Sequence, residues 1–153
     1  DYRKSWIARG IPASKLKILP RGLDIELFTP ARRDPGFWRS RGLRDGELAM
    51  LFVGRVSKEK NLDVLVSATK KLAAWQLPVR PIIVGDGPYL GEMRKLLPDA
   101  IFTGYLRGES LAAAYASAAF FVFPSTTDTF GNVVLEAHAS RPARRRQRRR
   151  RSA

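Results

Sequence analysis

Arg55 and Lys60 stand five residues apart, and two carboxylates, Asp128 and Glu136, stand eight apart. The two cations lie in the stretch "GRVSKEKN", Gly54–Asn61, directly after an apolar run. An arginine can fork onto phosphate oxygens while a lysine acts as a point charge, so the pair suits a diphosphate. Taken alone, the stretch reads better as a solvated basic loop. The carboxylates lie in "PSTTDTFGNVVLEA", where Gly131 permits close backbone approach. If a helix opens near Asn132, the amides around Phe130, Gly131 and Asn132 favour an anion at its N-terminus. Asp128 and Glu136 can accept hydrogen bonds from hydroxyl groups beside it. The plainer alternative is that Asp128 caps the loop and Glu136 is a solvated helix residue.

Two other loops could contribute. "VGDGPYLG" carries Gly85, Gly87 and Gly91 after a strand, which invites a dinucleotide site. No acid ends the next strand to hold a ribose, since Phe102, Thr103 and Gly104 stand there. A tight turn closing one αβ unit fits better. In "TGYLRGES", Tyr105 and Leu106 could form a wall against a base, or could belong to the core or its rim.

Composition narrows the chemistry. The chain has 153 residues and no cysteine, which excludes disulfides, thiolate metal sites and a cysteine nucleophile. His138 is the only histidine, which argues against most metal sites and catalytic triads. The longest apolar stretch, around Ala116–Pro124, is too short to span a bilayer. No signal peptide is evident, and a cytoplasmic location is the expectation.

These loops need elements to hold them. Leu48–Val53, Pro81–Val84, Ala100–Thr103 and Ala119–Phe123 are apolar runs of strand length. Asn61–Trp75 is amphipathic, with Leu62, Leu65, Val66, Leu72 and Ala73 on one face and Lys70 and Lys71 opposite. Tyr89–Leu97, Glu109–Ser117 and a segment from about Asn132 read as further helices, with Leu111 and Tyr115 facing inward. Residues 1–45 read as irregular, apart from a short apolar run at Leu16–Pro20. Continuous apolar strands alternating with helices predict an α/β fold, a Rossmann-like parallel sheet covered on both faces. Ligands bind such sheets at the carboxyl ends of the strands, where all four loops fall.

The ordered set "LPRGLDIELFTP", "VGRVSKEKN", "GDGP", "GYL" and "FPSTTDTFGNVVLEAHAS" resembles the C-terminal half of retaining GT-B glycosyltransferases, the glycosyl transferases group 1 family. The resemblance spans about residues 1–140 and implies a nucleotide-diphospho-sugar donor, a GDP- or UDP-linked hexose. Arg55 and Lys60 would then bind the diphosphate and stabilise the leaving group, with no cofactor or metal expected. Asp128, in the first acidic position of an E-x7-E element, would hold the sugar with the amides of Phe130, Gly131 and Asn132. Glu136 would bind ribose hydroxyls, Tyr105 and Leu106 would line the base, and Gly54 would shape the phosphate turn. Departures are Asp128, one methylene shorter than Glu, Arg21 where Asn is frequent, and Ala119 where Asp often precedes the strand.

The resemblance implies residues 1–45 as a lead-in from the interdomain region and 46–140 as an incomplete donor-binding domain. Truncation at both ends and inactivity of the fragment are the corresponding expectations. The pattern is most similar to members that transfer mannose or related hexoses to lipid acceptors. The acceptor, and peripheral membrane association of the full enzyme, stay open. Two alternatives compete: a nucleic-acid-binding protein acting through an arginine-rich end, and a dinucleotide-binding oxidoreductase domain.

That arginine-rich end is "RPARRRQRRRRSA", residues 141–153, which holds eight of the 28 basic residues and no acid. The net charge of +14 falls to +6 without it. The family normally continues "EAHAS" as "GLPVVASDAGG". A permitted codon choice for residues 141–150, read one base later, spells Gly-Leu-Pro-Val-Val-Ala-Ser-Asp-Ala-Gly. Residues 141–153 are therefore expected to be an out-of-frame, disordered tail, leaving the preceding strand's edge uncovered and any DNA binding incidental. The gene's nucleotide sequence tests this: a single-base shift near codon 141 should open a frame reading Gly-Leu-Pro-Val-Val. If no such frame exists, the tail is native.

Overall fold

A computed structural model describes residues 2–17, 22–126 and 131–141. Among them are strands β1 (Leu48–Val53), β2 (Val79–Val84), β3 (Ile101–Gly104) and β4 (Phe120–Phe121). The helices are α1 (Tyr2–Ala8), α2 (Leu62–Ala74), α3 (Leu90–Leu96), α4 (Gly108–Ala116) and α5 (Asn132–Ala139). The strands pair in the order β3-β2-β1-β4, all parallel, with Leu48 opposite Val79 and Met50 opposite Phe120. This is the doubly wound parallel sheet expected from the sequence.

The strands lack polar alternation because successive side chains enter two different cores. From β1, Ala49, Leu51 and Val53 join Tyr115 of α4, Ala137 of α5, and Phe28, Phe37 and Trp38. Met50 and Phe52 point the other way, against Leu62, Leu65 and Val66 of α2 and Met93 of α3. On α2, Lys70 and Lys71 are exposed as expected. Ala73, assigned to its apolar face, is exposed too.

Three elements differ from the sequence reading, the first being β2, which begins at Val79 rather than Pro81 and so takes in Arg80. α1 lies in the stretch read as irregular, and its Trp6 and Ile7 are 47% and 39% exposed. It has no buried apolar stripe to announce it. β4 pairs over two residues rather than five, although the amides of Ala119 and Val122 still donate to Ala49 and Leu51 of β1 at 3.0 and 2.9 Å. A cavity of about 420 Å³ borders β4, lined in part by Arg33, Phe121, Ser140 and Arg141. Among the described residues no helix is long and apolar enough to cross a membrane.

An ion pair fastens the amino ends of the strands. Arg80 of β2 donates through Nε and Nη2 to the two oxygens of Glu47 (3.1 and 2.6 Å), and through Nη1 to the Asp99 carbonyl (2.6 Å). These bonds hold the Glu47 carboxyl below the usual glutamate range, against the opposing effect of burial. At the carboxyl ends, the backbone itself fastens two loops. The Val56 amide donates to the Asp86 carbonyl (2.9 Å), and the Tyr89 amide donates to the Val56 carbonyl (3.0 Å). A Cβ on Gly85 would sit 2.0 Å from the Gly54 carbonyl oxygen, and one on Gly87 would sit 2.3 Å from that of Val56. Both glycines are required by this contact, and no dinucleotide is needed to explain them.

Two outcomes follow. Glu47→Gln should destabilise the fold by about 2 kcal/mol at neutral pH. Because the folded carboxyl is the stronger acid, its stabilisation exists above the ordinary glutamate range and is lost as pH falls through the lowered value. Denaturant curves of wild type and variant should therefore converge in acid. Gly85→Ala should cost on the order of 3 kcal/mol by forcing the loops apart, read as a lower thermal midpoint. An unchanged midpoint would contradict the close approach.

Candidate donor-binding site

The basic loop leaves β1 at Gly54, whose amide donates to the Val84 carbonyl at 3.0 Å. Val56 and Ser57 are then buried, while Arg55 between Gly54 and Val56 is exposed. Burying the residues that follow Arg55 anchors the turn and leaves the guanidinium to solvent. Lys60 ends a single 3₁₀ turn, Lys58–Lys60, and is half-buried.

Asn61 follows, with φ +52° and ψ +38°, a left-handed conformation that asparagine tolerates better than most residues. Its carbonyl accepts the Val64 amide at 3.0 Å, starting α2. Its side-chain Nδ2 donates across the sheet end to the Pro124 carbonyl (3.3 Å) and Thr126 Oγ1 (3.2 Å). One amide thus joins the basic loop to the loop that leads towards Asp128. Asp128 and Phe130 lie outside the described residues, as do Arg21, Ile18–Pro20 and residues 142–153.

The chain is described again from Gly131, in the left-handed conformation at φ +57°, and α5 opens at Asn132 as expected. The first amides of a helix have no acceptor within it and face outward at its end. Glu136 lies further along α5, half-buried, and its Oε2 accepts the Tyr115 hydroxyl at 2.9 Å. A freely solvated helix carboxylate would not be held in this way. Beyond β3, Tyr105 is 65% exposed, whereas Leu106 packs against the core that contains Trp38.

Gly54, Arg55, Lys60, Gly131 and Asn132 therefore all lie on loops or a helix start at the carboxyl ends of the strands, with Glu136 on the helix that follows. Sequence reasoning missed Asn61 and Tyr115. For Asn61 the signal was local: an asparagine ends a basic turn where a helix begins. For Tyr115 the position was read as inward, but nothing local pointed to a partner 21 residues away.

Comparison with known proteins agrees with this architecture. The family model for glycosyl transferases group 1 matches residues 47–142. A sulfoquinovosyl transferase from Arabidopsis thaliana is 41% identical over 143 residues, covering 90% of this chain and 27% of that protein. A GDP-mannose-dependent alpha-mannosyltransferase from Mycobacterium tuberculosis is 39% identical over 137 residues, covering 90% of this chain and 34% of the other. The crystal structure of HepE from Anabaena, in complex with UDP-glucose, superposes with a TM-score of 0.72 at 22% identity, over 90% of this chain and 40% of HepE. The chain thus spans between a quarter and about a third of the length of these two sequence relatives. The ordered motifs, the parallel sheet and the family match over the sheet-forming region converge: this chain belongs to the glycosyl transferases group 1 family, with the Rossmann-like fold of a GT-B C-terminal domain.

Proposed function

We propose that this chain is the donor-binding part of a retaining hexosyltransferase that takes a nucleotide-diphospho-sugar. The observation that carries the reading is the Asn61 bridge, which joins the loop bearing Arg55 and Lys60 to the loop leading to Asp128. A diphosphate at the first loop would place its attached sugar beside the second. Arg55 and Lys60 hold the diphosphate, and Asp128 with the Phe130, Gly131 and Asn132 amides receives the sugar and phosphate oxygens. Glu136 accepts the ribose hydroxyls, exposed Tyr105 offers a face to the base, and Leu106 backs it from the core.

In transfer, the bond from hexose C1 to the diphosphate oxygen breaks as a bond from the acceptor hydroxyl oxygen to C1 forms. The acceptor proton leaves with the nucleoside diphosphate. Negative charge grows on the departing phosphate, where fixed cations stabilise it more than in the bound donor. Related proteins named for GDP-mannose and for a complex with UDP-glucose support a GDP- or UDP-linked hexose. Given the share of its relatives that the chain spans, we assign it donor binding without transfer.

Calorimetric titration tests the reading, with GDP, UDP, NAD and a DNA duplex as separate arms. GDP or UDP should bind in preference to NAD, and removal of residues 141–153 should abolish DNA binding alone. Arg55→Ala or Lys60→Ala should each weaken nucleoside diphosphate binding by about 1.5–3 kcal/mol. Unchanged affinity in both variants removes the diphosphate site. Hexose transfer by the chain alone to any added acceptor contradicts the assignment of binding without transfer.

A further inference from the structure

Tyr115 lies between an apolar cluster and the cavity beside β4, which Arg33, Ser140 and Arg141 also line. Tyr115 is 5% exposed on α4. Its ring meets Phe28 edge-on at 6.0 Å and leans on Phe121 at 5.7 Å. The segment before β1 and strand β4 therefore fix the ring that α4 carries. A phenol so enclosed needs a hydrogen-bond partner, and it donates to Glu136 Oε2 at 2.9 Å. Burial foremost, and then the charge of Glu136, raise the phenol well above the ordinary tyrosine range, so it remains a donor at any physiological pH.

We infer that Tyr115 is a positioning residue for the ribose contact: its hydroxyl occupies Glu136 Oε2, fixes the carboxylate plane, and leaves Oε1 to accept from the ribose. This rests on the ribose role proposed for Glu136. A glutamate on a helix surface has three rotatable bonds, and ordering them on binding would cost affinity. Held by a buried phenol, the carboxylate is oriented before the ligand arrives. The effect is specific to the ribose, because Tyr115 is tied to Glu136 rather than to the basic loop.

The test compares the nucleoside diphosphate that binds best with its dideoxyribose counterpart, on wild type and on Tyr115→Phe. Wild type should favour the ribose form by roughly tenfold or more, as expected for hydroxyls donating to a carboxylate. Tyr115→Phe should cut that preference several-fold while leaving affinity for the dideoxy form nearly unchanged. In a Glu136→Gln background, the same change should not alter the preference. If Tyr115→Phe weakens both ligands alike, or keeps the wild-type preference, Tyr115 is a packing residue only and the inference is overturned while the donor reading stands. If wild type binds both forms equally, the Glu136 role falls and the inference falls with it. If neither form binds wild type, the donor reading itself fails. Fluorotyrosine at position 115 gives a second readout that keeps the hydroxyl, should the phenylalanine variant not fold. Its fluorine resonance should move with the ribose ligand and not with the dideoxy one, and equal response to both overturns the inference.

Discussion

The functional end of this molecule depends on a close contact between two stretches of backbone. The β2 loop lies against the β1 loop so tightly that no side-chain carbon fits at Gly85 or Gly87. Backbone groups of Val56, Asp86 and Tyr89 then satisfy one another, as buried amides and carbonyls must. Buried Val56 pins the middle of the basic loop, and Arg55 is displayed as a consequence. The β2 loop also reaches the next strand, where the Gly85 amide donates to the Gly104 carbonyl at 2.8 Å. Three adjacent strand ends are thereby tied together by main chain. Asn61 adds the fourth through its side chain.

The same economy governs the core. β1 is shared by two apolar clusters, each completed by helices from a different part of the chain. Phe28, Phe37 and Trp38, which precede the first strand, are buried in one of them. The segment leading into the sheet is thus also a packing layer for α4 and α5, the two helices that carry Tyr115 and Glu136. Support for the Tyr115–Glu136 hydrogen bond accordingly reaches back to residues before β1.

Much of this was legible in the sequence, and the reasons are physical. Strands buried on both faces are mostly apolar, so β1 could be read residue for residue and β2 from Pro81 onward, while the charge of Arg80 hid the start of β2. Loops at strand ends carry glycines and charges because backbone turns sharply there and solvent is near. What could not be read depends on contacts across the fold. The requirement for glycine at positions 85 and 87 comes from the carbonyls of Gly54 and Val56, about 30 residues earlier in the chain. Tyr115 and Glu136 are likewise joined only by the packing of two helices. Leu106 looked equivalent to its neighbour Tyr105, yet one packs inward and the other is exposed. α1 escaped notice for the opposite reason: its apolar residues bury little, so no periodic stripe marks it.

The Glu47–Arg80 pair lies at the opposite pole of the sheet from the ligand loops. Glu47 precedes β1, Arg80 is the second residue of β2, and Asp99 precedes β3. A strand of six residues separates the poles, about 17–20 Å. Changes separated by more than about 7–10 Å and sharing no partner combine additively. The amino pole can therefore accumulate stabilising substitutions without altering the loops at the other end, and the carboxyl pole can vary its loop side chains without unseating the sheet. In evolutionary terms, the two ends of each strand are free to drift under different pressures.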